Sequence, residues 1–141
     1  MSRMNVVSQR IVVAGFGILL AAVPVLAHHA FAAEYDANKP VQVKGTLTGA
    51  ELVNPHGWLH VEVTDAKGKK TNWAIETGGA NALYRRGWRV EDLPVGKTLV
   101  VDGYLAKDGS PTMNGVSITF EDGRRLFAGS QVPGGREGGG E

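Results

Sequence analysis

The chain has 141 residues, no cysteine, and a formal net charge of +1 with 21% charged residues. Without cysteine there are no disulfide staples, no thiolate chemistry and no zinc–thiolate site, so core packing alone must hold a fold together. The near-neutral balance lacks the basic footprint of a nucleic-acid binder and gives no attraction to an anionic membrane surface.

The first segment reads as a cleavable secretory signal. Met1–Arg10 is short and basic through Arg3 and Arg10, Ile11–Leu26 is an unbroken apolar run, and Pro24 breaks the helix near its end, just before Val25-Leu26-Ala27. A membrane span needs roughly 20 apolar residues, and this run is shorter. Cleavage after Ala27 makes His28 the first residue of the mature protein. A second small-residue site, Ala30-Phe31-Ala32, lies farther from the apolar run. Only Arg3 and Arg10 of the 15 basic residues lie in the leader, so 13 remain against 14 acidic ones, and the mature charge is −1. What remains is one domain's worth of chain, near the usual ~100–150 residues, placed by its leader in the periplasm with no membrane attachment after cleavage.

Residues 28–40 are expected to form an extended arm ending at Pro40. In the next stretch Val41, Val43, Gly45 and Leu47 alternate with polar residues, the period of a half-buried strand. Pro55 and Gly57 interrupt the chain before Trp58–Thr64, where Leu59, Val61 and Val63 share one face and Trp58, His60 and Glu62 the other. Asp65-Ala66-Lys67-Gly68 is turn chemistry, with Gly68 suited to a left-handed position. A loop over Ala66–Gly68 sets Trp58 opposite Glu76 and His60 opposite Ala74 in the returning strand Thr71–Thr77. Ala80–Arg86 is predicted as a short helix with Leu83 inward and Gly87 as its stop. Lys97–Ala106 and Met113–Phe120 form a second hairpin around Lys107-Asp108-Gly109-Ser110, with Val116, Ile118 and Phe120 inward. A short segment follows at Arg124–Ala128. Residues 130–141, nearly all glycine from Gly134, have nothing to bury and are predicted to be a disordered tail.

The resulting fold class is all-β with one short helix. Five strands with a helix after the third match a small five-stranded OB-like Greek-key barrel over residues 41–129. A small open sandwich is the alternative.

All four histidines fall in two places: His28 and His29, and His56 and His60 in the stretch Asn54–His60. With cleavage after Ala27, His28 offers its α-amino nitrogen and its imidazole to one ion. Adding a second imidazole makes a square, nitrogen-rich set that suits copper(II). The α-amino group titrates near pH ~8 and yields its proton readily to a metal. On a straight strand His56 and His60 lie ~13 Å apart, so either one singly, His56 or His60, joins His28. His29 is a reserve ligand, and Glu76 an extra ligand or an acceptor behind one. A solvated role for these histidines is the plainer alternative.

Trp58, Trp88 and Tyr104 suggest a second reading, an aromatic face binding a protein or glycan, as OB barrels do. The alternative for Trp58 and Trp88 is packing at the barrel ends. Arg85, Arg86 and Arg89 suit either an anion or the carbonyl end of the helix. No serine sits in a nucleophile-elbow context, and there is no phosphate loop or dinucleotide fingerprint, so binding rather than catalysis is expected.

Several words of this chain occur together and in order: His-His-Ala-Phe-Ala-Ala-Glu-Tyr-Asp at 28–36, Asn54-Pro55-His56-Gly57-Trp58, Asn81-Ala82-Leu83 and Arg85-Arg86-Gly87-Trp88. They resemble a family of small exported proteobacterial proteins of unknown function, and the likeness covers residues 28–130. The resemblance implies a periplasmic, OB-like β domain and no established activity.

The first test lies in the leader itself. The intact mass of the exported protein is expected to correspond to a start at His28. A start at Ala33 would remove both His28 and His29, and the amino-terminal metal site with them.

Overall fold

The computed structural model describes residues 31–129. The segment read as a secretory signal, His28, His29 and the glycine-rich tail lie outside the described residues. The chain divides into two compact units, Met1–Ala33 and Glu34–Glu141. Of the first, only the helical residues 31–33 are described. Among the described residues no helix is long and apolar enough to cross a membrane.

The second unit is built from β1 (Tyr35–Glu51), β2 (His56–Thr64), β3 (Lys70–Gly78), helix α1 (Ala80–Arg85), a 3-10 turn (Val90–Asp92), β4 (Thr98–Ala106), β5 (Thr112–Phe120) and β6 (Arg125–Phe127). Neighbouring strands run in the order β3-β2-β1-β4-β5-β6, and β3 also pairs with β5. That last pairing is parallel, with Glu76 opposite Asn114, and the others are antiparallel. Strands β1, β2, β3, β5 and β4 therefore close a ring, with α1 following the third strand. This is the OB-like all-β arrangement expected from the order of elements, with the three-residue β6 added at the edge of β5.

The ring closes because β1 serves two partners. Residues 46–51 pair with β2 and residues 35–46 with β4, and Thr46 faces both Glu62 and Thr98. The strand starts at Tyr35, inside the stretch expected to be an arm, and its pairing shifts register between Tyr35 and Pro40. Proline cannot donate to a ladder and so reads as a boundary, but it is tolerated where the ladder is already irregular.

The predicted first hairpin holds residue by residue. Trp58 faces Glu76 and His60 faces Ala74. Its turn is built as its sequence suggests: Asp65 Oδ1 accepts from the Lys67 and Lys69 amides at 2.8 and 2.9 Å, and Gly68 sits at φ +80°. The inner face carries Leu59, Val61 and Ile75, all fully buried, together with Leu47, Val101 and Ile118.

Period-two reading fails in β5. Asp102 pairs with Ser117 but Gly103 pairs with Gly115, so Val116 is the extra residue of a bulge. A bulge shifts which residues face inward. Ile118 and Phe120 point into the core on one side of it and Met113 on the other, while Val116 is only half-buried.

Helix α1 ends in a Schellman motif. The Gly87 amide bonds to Tyr84 O at 3.1 Å, the Trp88 amide to Leu83 O at 3.0 Å, and Gly87 has φ +93°. This arrangement folds the residue after the glycine back against the third-last helical residue. Trp88 and Leu83 accordingly join the same buried core cluster.

At the bulge β4 and β5 approach so closely that a Cβ on Gly103 would fall on the Asn114 carbonyl oxygen and 2.6 Å from Met113 Cε. Gly103→Ala is therefore expected to destabilise the domain by about 1–3 kcal/mol through overpacking. Urea denaturation checks this, with the midpoint lowered and the slope unchanged.

Candidate functional site

On the outer surface of the ring, cross-strand register lines up Trp58 on β2, Glu76 on β3, Asn114 on β5 and Tyr104 on β4. The same strands turn Leu59, Ile75 and Met113 inward. An outward carboxylate is ordinarily solvated, yet Glu76 is only 6% exposed. Its two oxygens explain how a charge is held there. Glu76 Oε2 accepts from the Tyr35 hydroxyl, and Oε1 contacts His56 Nδ1.

Each partner arrives for a local reason. His56 opens β2 opposite Gly78. Glycine presents no side chain there, so the imidazole can turn to its diagonal neighbour Glu76. Tyr35 comes from the irregular start of β1, opposite Ala106 on β4, and is 4% exposed. Burial first, then the hydrogen bond to Glu76 and the charge of that carboxylate, push the Tyr35 phenol above its ordinary value. The phenol therefore stays protonated and donates.

Facing a carboxylate acceptor, His56 Nδ1 carries a hydrogen, and Nε2 points away from Glu76. The His56 side chain is 55% exposed, against 8% for Glu76. An open imidazole thus stands on a buried carboxylate, the support that metal-binding histidines commonly have.

His60 is elsewhere. Its Nε2 lies 3.3 Å from Glu51 Oε1 in an exposed pair. The two strand histidines therefore engage different carboxylates, as their spacing along β2 requires. Among the described residues no three His, Asp or Glu side chains are grouped to hold a metal ion. Glu76, expected as a ligand or an acceptor behind one, faces His56 Nδ1 and the Tyr35 hydroxyl. His28 and His29 lie outside the described residues.

The aromatic residues do not form one platform. Trp88 is 1% exposed, and its indole N–H donates to Phe127 O at 2.9 Å. The Schellman turn sends it into the core, so it lines no surface. Trp58 and Tyr104 are half-buried and share the outer row, three strand spacings or ~14 Å apart along the ring. Tyr104 instead lines a depression of about 300 Å³ with Pro40, Gln42, Asp102 and Val116 among its other walls. The polar wall is already engaged: Asp102 accepts from Gln42 Nε2 at 2.8 Å and from the Ser117 hydroxyl at 3.2 Å. Of the arginines, Arg89 stacks 3.8 Å from the Tyr84 ring centroid and donates to Tyr84 O and Trp88 O, while Arg86 lies over Phe127. These contacts favour the helix-end role over an anion site.

Sequence reasoning missed Tyr35 and Asn114. Tyr35 falls in the stretch read as an arm, with no periodicity to mark it. Asn114 is 6% exposed, and its Oδ1 has no hydrogen-bond partner among the described residues.

Residues 17–116 match the model of a family described as a family of unknown function, DUF6152. No curated protein matches the chain.

The Tyr35–Glu76 bond makes a double prediction. Tyr35→Phe removes a hydrogen bond to a charged group and is expected to cost about 1.5–3 kcal/mol at neutral pH. The raised phenol value also means that above pH ~10 the folded chain binds more protons than the unfolded one, so stability falls as pH rises there. Urea denaturation at stepped pH is expected to show a shallower alkaline loss in Tyr35→Phe than in the wild type.

Proposed function

The chain belongs to the DUF6152 family of unknown function, and we propose that it is an exported periplasmic metal-binding protein, selective for copper(II), that acts by binding or delivery and not by turnover. One observation carries this reading. His56 is held through Nδ1 by the buried Glu76 carboxylate, which leaves Nε2 on the far side of an exposed ring. A carboxylate in this position orients the ligand and raises its basicity.

One imidazole does not hold an ion. His28, as the first residue of the mature chain, supplies an α-amino nitrogen and a second imidazole. With His56 Nε2 these make three nitrogens, the donor type copper(II) prefers among first-row divalent ions. His29 stands next in sequence as a reserve donor. His60, already facing Glu51, is the weaker candidate of the strand pair. Binding displaces protons from the α-amino group and from any charged imidazole, so affinity rises with pH through the range where those groups titrate.

A module that binds a protein or glycan is the second reading. The depression beside Tyr104 favours it. Trp88, buried in the core, contributes nothing to it.

Protein beginning at His28 is expected to bind copper(II) with sub-micromolar affinity in isothermal titration, on the order of −8 kcal/mol or better. His56→Ala is expected to weaken this by at least about 10-fold. A residue added before His28 removes the free α-amino donor and is expected to weaken binding as well. Unchanged affinity in that extended protein defeats the amino-terminal site.

A further inference from the structure

We propose that the depression beside Tyr104 is a binding site for one neutral sugar ring of a glycan. This rests on the second reading, a module that binds a protein or glycan. It needs neither a metal nor any residue outside those described.

A strand irregularity makes the site. On β4, Asp102 and Tyr104 are two residues apart and both turn to the outer surface. Across from them the bulge in β5 sets both Val116 and Ser117 on that surface, where regular alternation would turn one of the two inward. Pro40 of β1 stands opposite Tyr104 on the other flank. The result is a depression of about 300 Å³, with Tyr104, Pro40 and Val116 as apolar walls and Gln42 and Asp102 as a polar end. Small-molecule sites start near ~300 Å³ and share this make-up, mostly apolar with a few fixed polar groups.

The polar end decides the class of ligand. Asp102 Oδ1 accepts from Gln42 Nε2 at 2.8 Å, and Oδ2 accepts from the Ser117 hydroxyl at 3.2 Å. Ser117 Oγ in turn accepts from Arg125 Nη2 at 2.8 Å, and that nitrogen lies 3.6 Å from Asp102 Oδ2. The carboxylate is thus matched by a guanidinium of the protein itself, and an ionic ligand finds no unanswered charge. The same bonds hold the side chains in place in advance, which lowers the cost of ordering them on binding. Carboxylate and amide oxygens each have two lone pairs, so Asp102 Oδ1 and the Gln42 carbonyl oxygen can still accept from hydroxyl groups. A sugar ring combines a rim of hydroxyls with an apolar C–H face, and the Tyr104 ring is a flat apolar surface for that face.

An extended peptide fits less well. Peptides add to a free sheet edge through backbone hydrogen bonds, and at Asp102–Tyr104 strand β4 is paired on both sides. The usual ligand face of OB barrels lies over strands two and three; this site lies over β1, β4 and β5 instead.

The test follows amide shifts of Gly103, Tyr104 and Val116 in the nitrogen-15-labelled exported protein. The probes are methyl β-glucoside and cellobiose (neutral), glucosamine and glucuronate (charged) and trialanine. The neutral sugars are expected to move these amides with a Kd on the order of 1–10 mM, ordinary for a ligand of this size. Tyr104→Ala is expected to weaken binding by about 10-fold, and Tyr104→Phe, which keeps the ring, to retain it. Gln42→Ala changes an exposed side chain and is expected to cost about 5-fold. The remaining amide shifts report that each variant is folded. A sugar that binds Tyr104→Ala and Gln42→Ala as tightly as the wild type overturns the site. A charged sugar that binds 10-fold tighter than the neutral ones overturns the neutral class. Trialanine moving these amides while no sugar does overturns the sugar and leaves the binding-module reading standing. No probe moving them overturns both, whatever copper titration shows.

Discussion

A carboxylate with little access to water must be answered by donors, and in this protein that requirement organises everything around Glu76. Removing one partner from a buried charge costs far more than a surface ion pair contributes, because the charge is left without solvation. Glu76 meets the demand with a phenol on one oxygen and an imidazole on the other. The start of β1, the start of β2 and the end of β3 are thereby drawn to one point. Burial and that acceptor together keep Tyr35 protonated, and His56 turns its Nδ1 to the same carboxylate.

The barrel supplies the setting. Parallel pairing of β3 with β5 brings Asn114 beside Glu76 and turns a meandering sheet into a ring. Irregularities in pairing make the closure possible: one near the start of β1, one between Leu47 and Gly49, and one at Gly103. Bulges sharpen local twist and redirect side chains, so the 17-residue β1 can bend from one partner to the next. Apolar residues fill the inside of the ring, and the outer row carries the chemistry.

Much of this was readable from residue order. The hairpin register of β2 and β3, the turn at Gly68, the helix after the third strand and its stop at Gly87 all follow from local chemistry, and local chemistry is what a linear sequence records well. Glu76 could be placed opposite Trp58, on the face of His60, because register carries over from one strand to the next. The failures share a cause too. Val116 was assigned by a period that a bulge interrupts. Trp88 was offered as a surface aromatic because a Schellman turn redirects the residue after it, and only the three-dimensional helix end reveals where. Tyr35 lies before a proline in a stretch without alternation, and its role depends on a contact 41 residues away. Long-range contacts of single residues leave no periodic trace.

That separation has a consequence for how the site comes into being. Tyr35, His56 and Glu76 stand on three strands, and the parallel closure beside them joins segments separated by the helix, the 3-10 turn and β4. Contacts between distant segments form after the loops between them have been closed, at an entropic cost that rises with their length. The oriented imidazole is therefore a property of the completed barrel. An unfolded or half-folded chain carries the same histidine without its support. Any ligand that requires the supported ring binds the native state in preference to the unfolded one and shifts the folding equilibrium by mass action. For such a ligand, occupancy and completion of the fold are linked quantities, each a measure of the other.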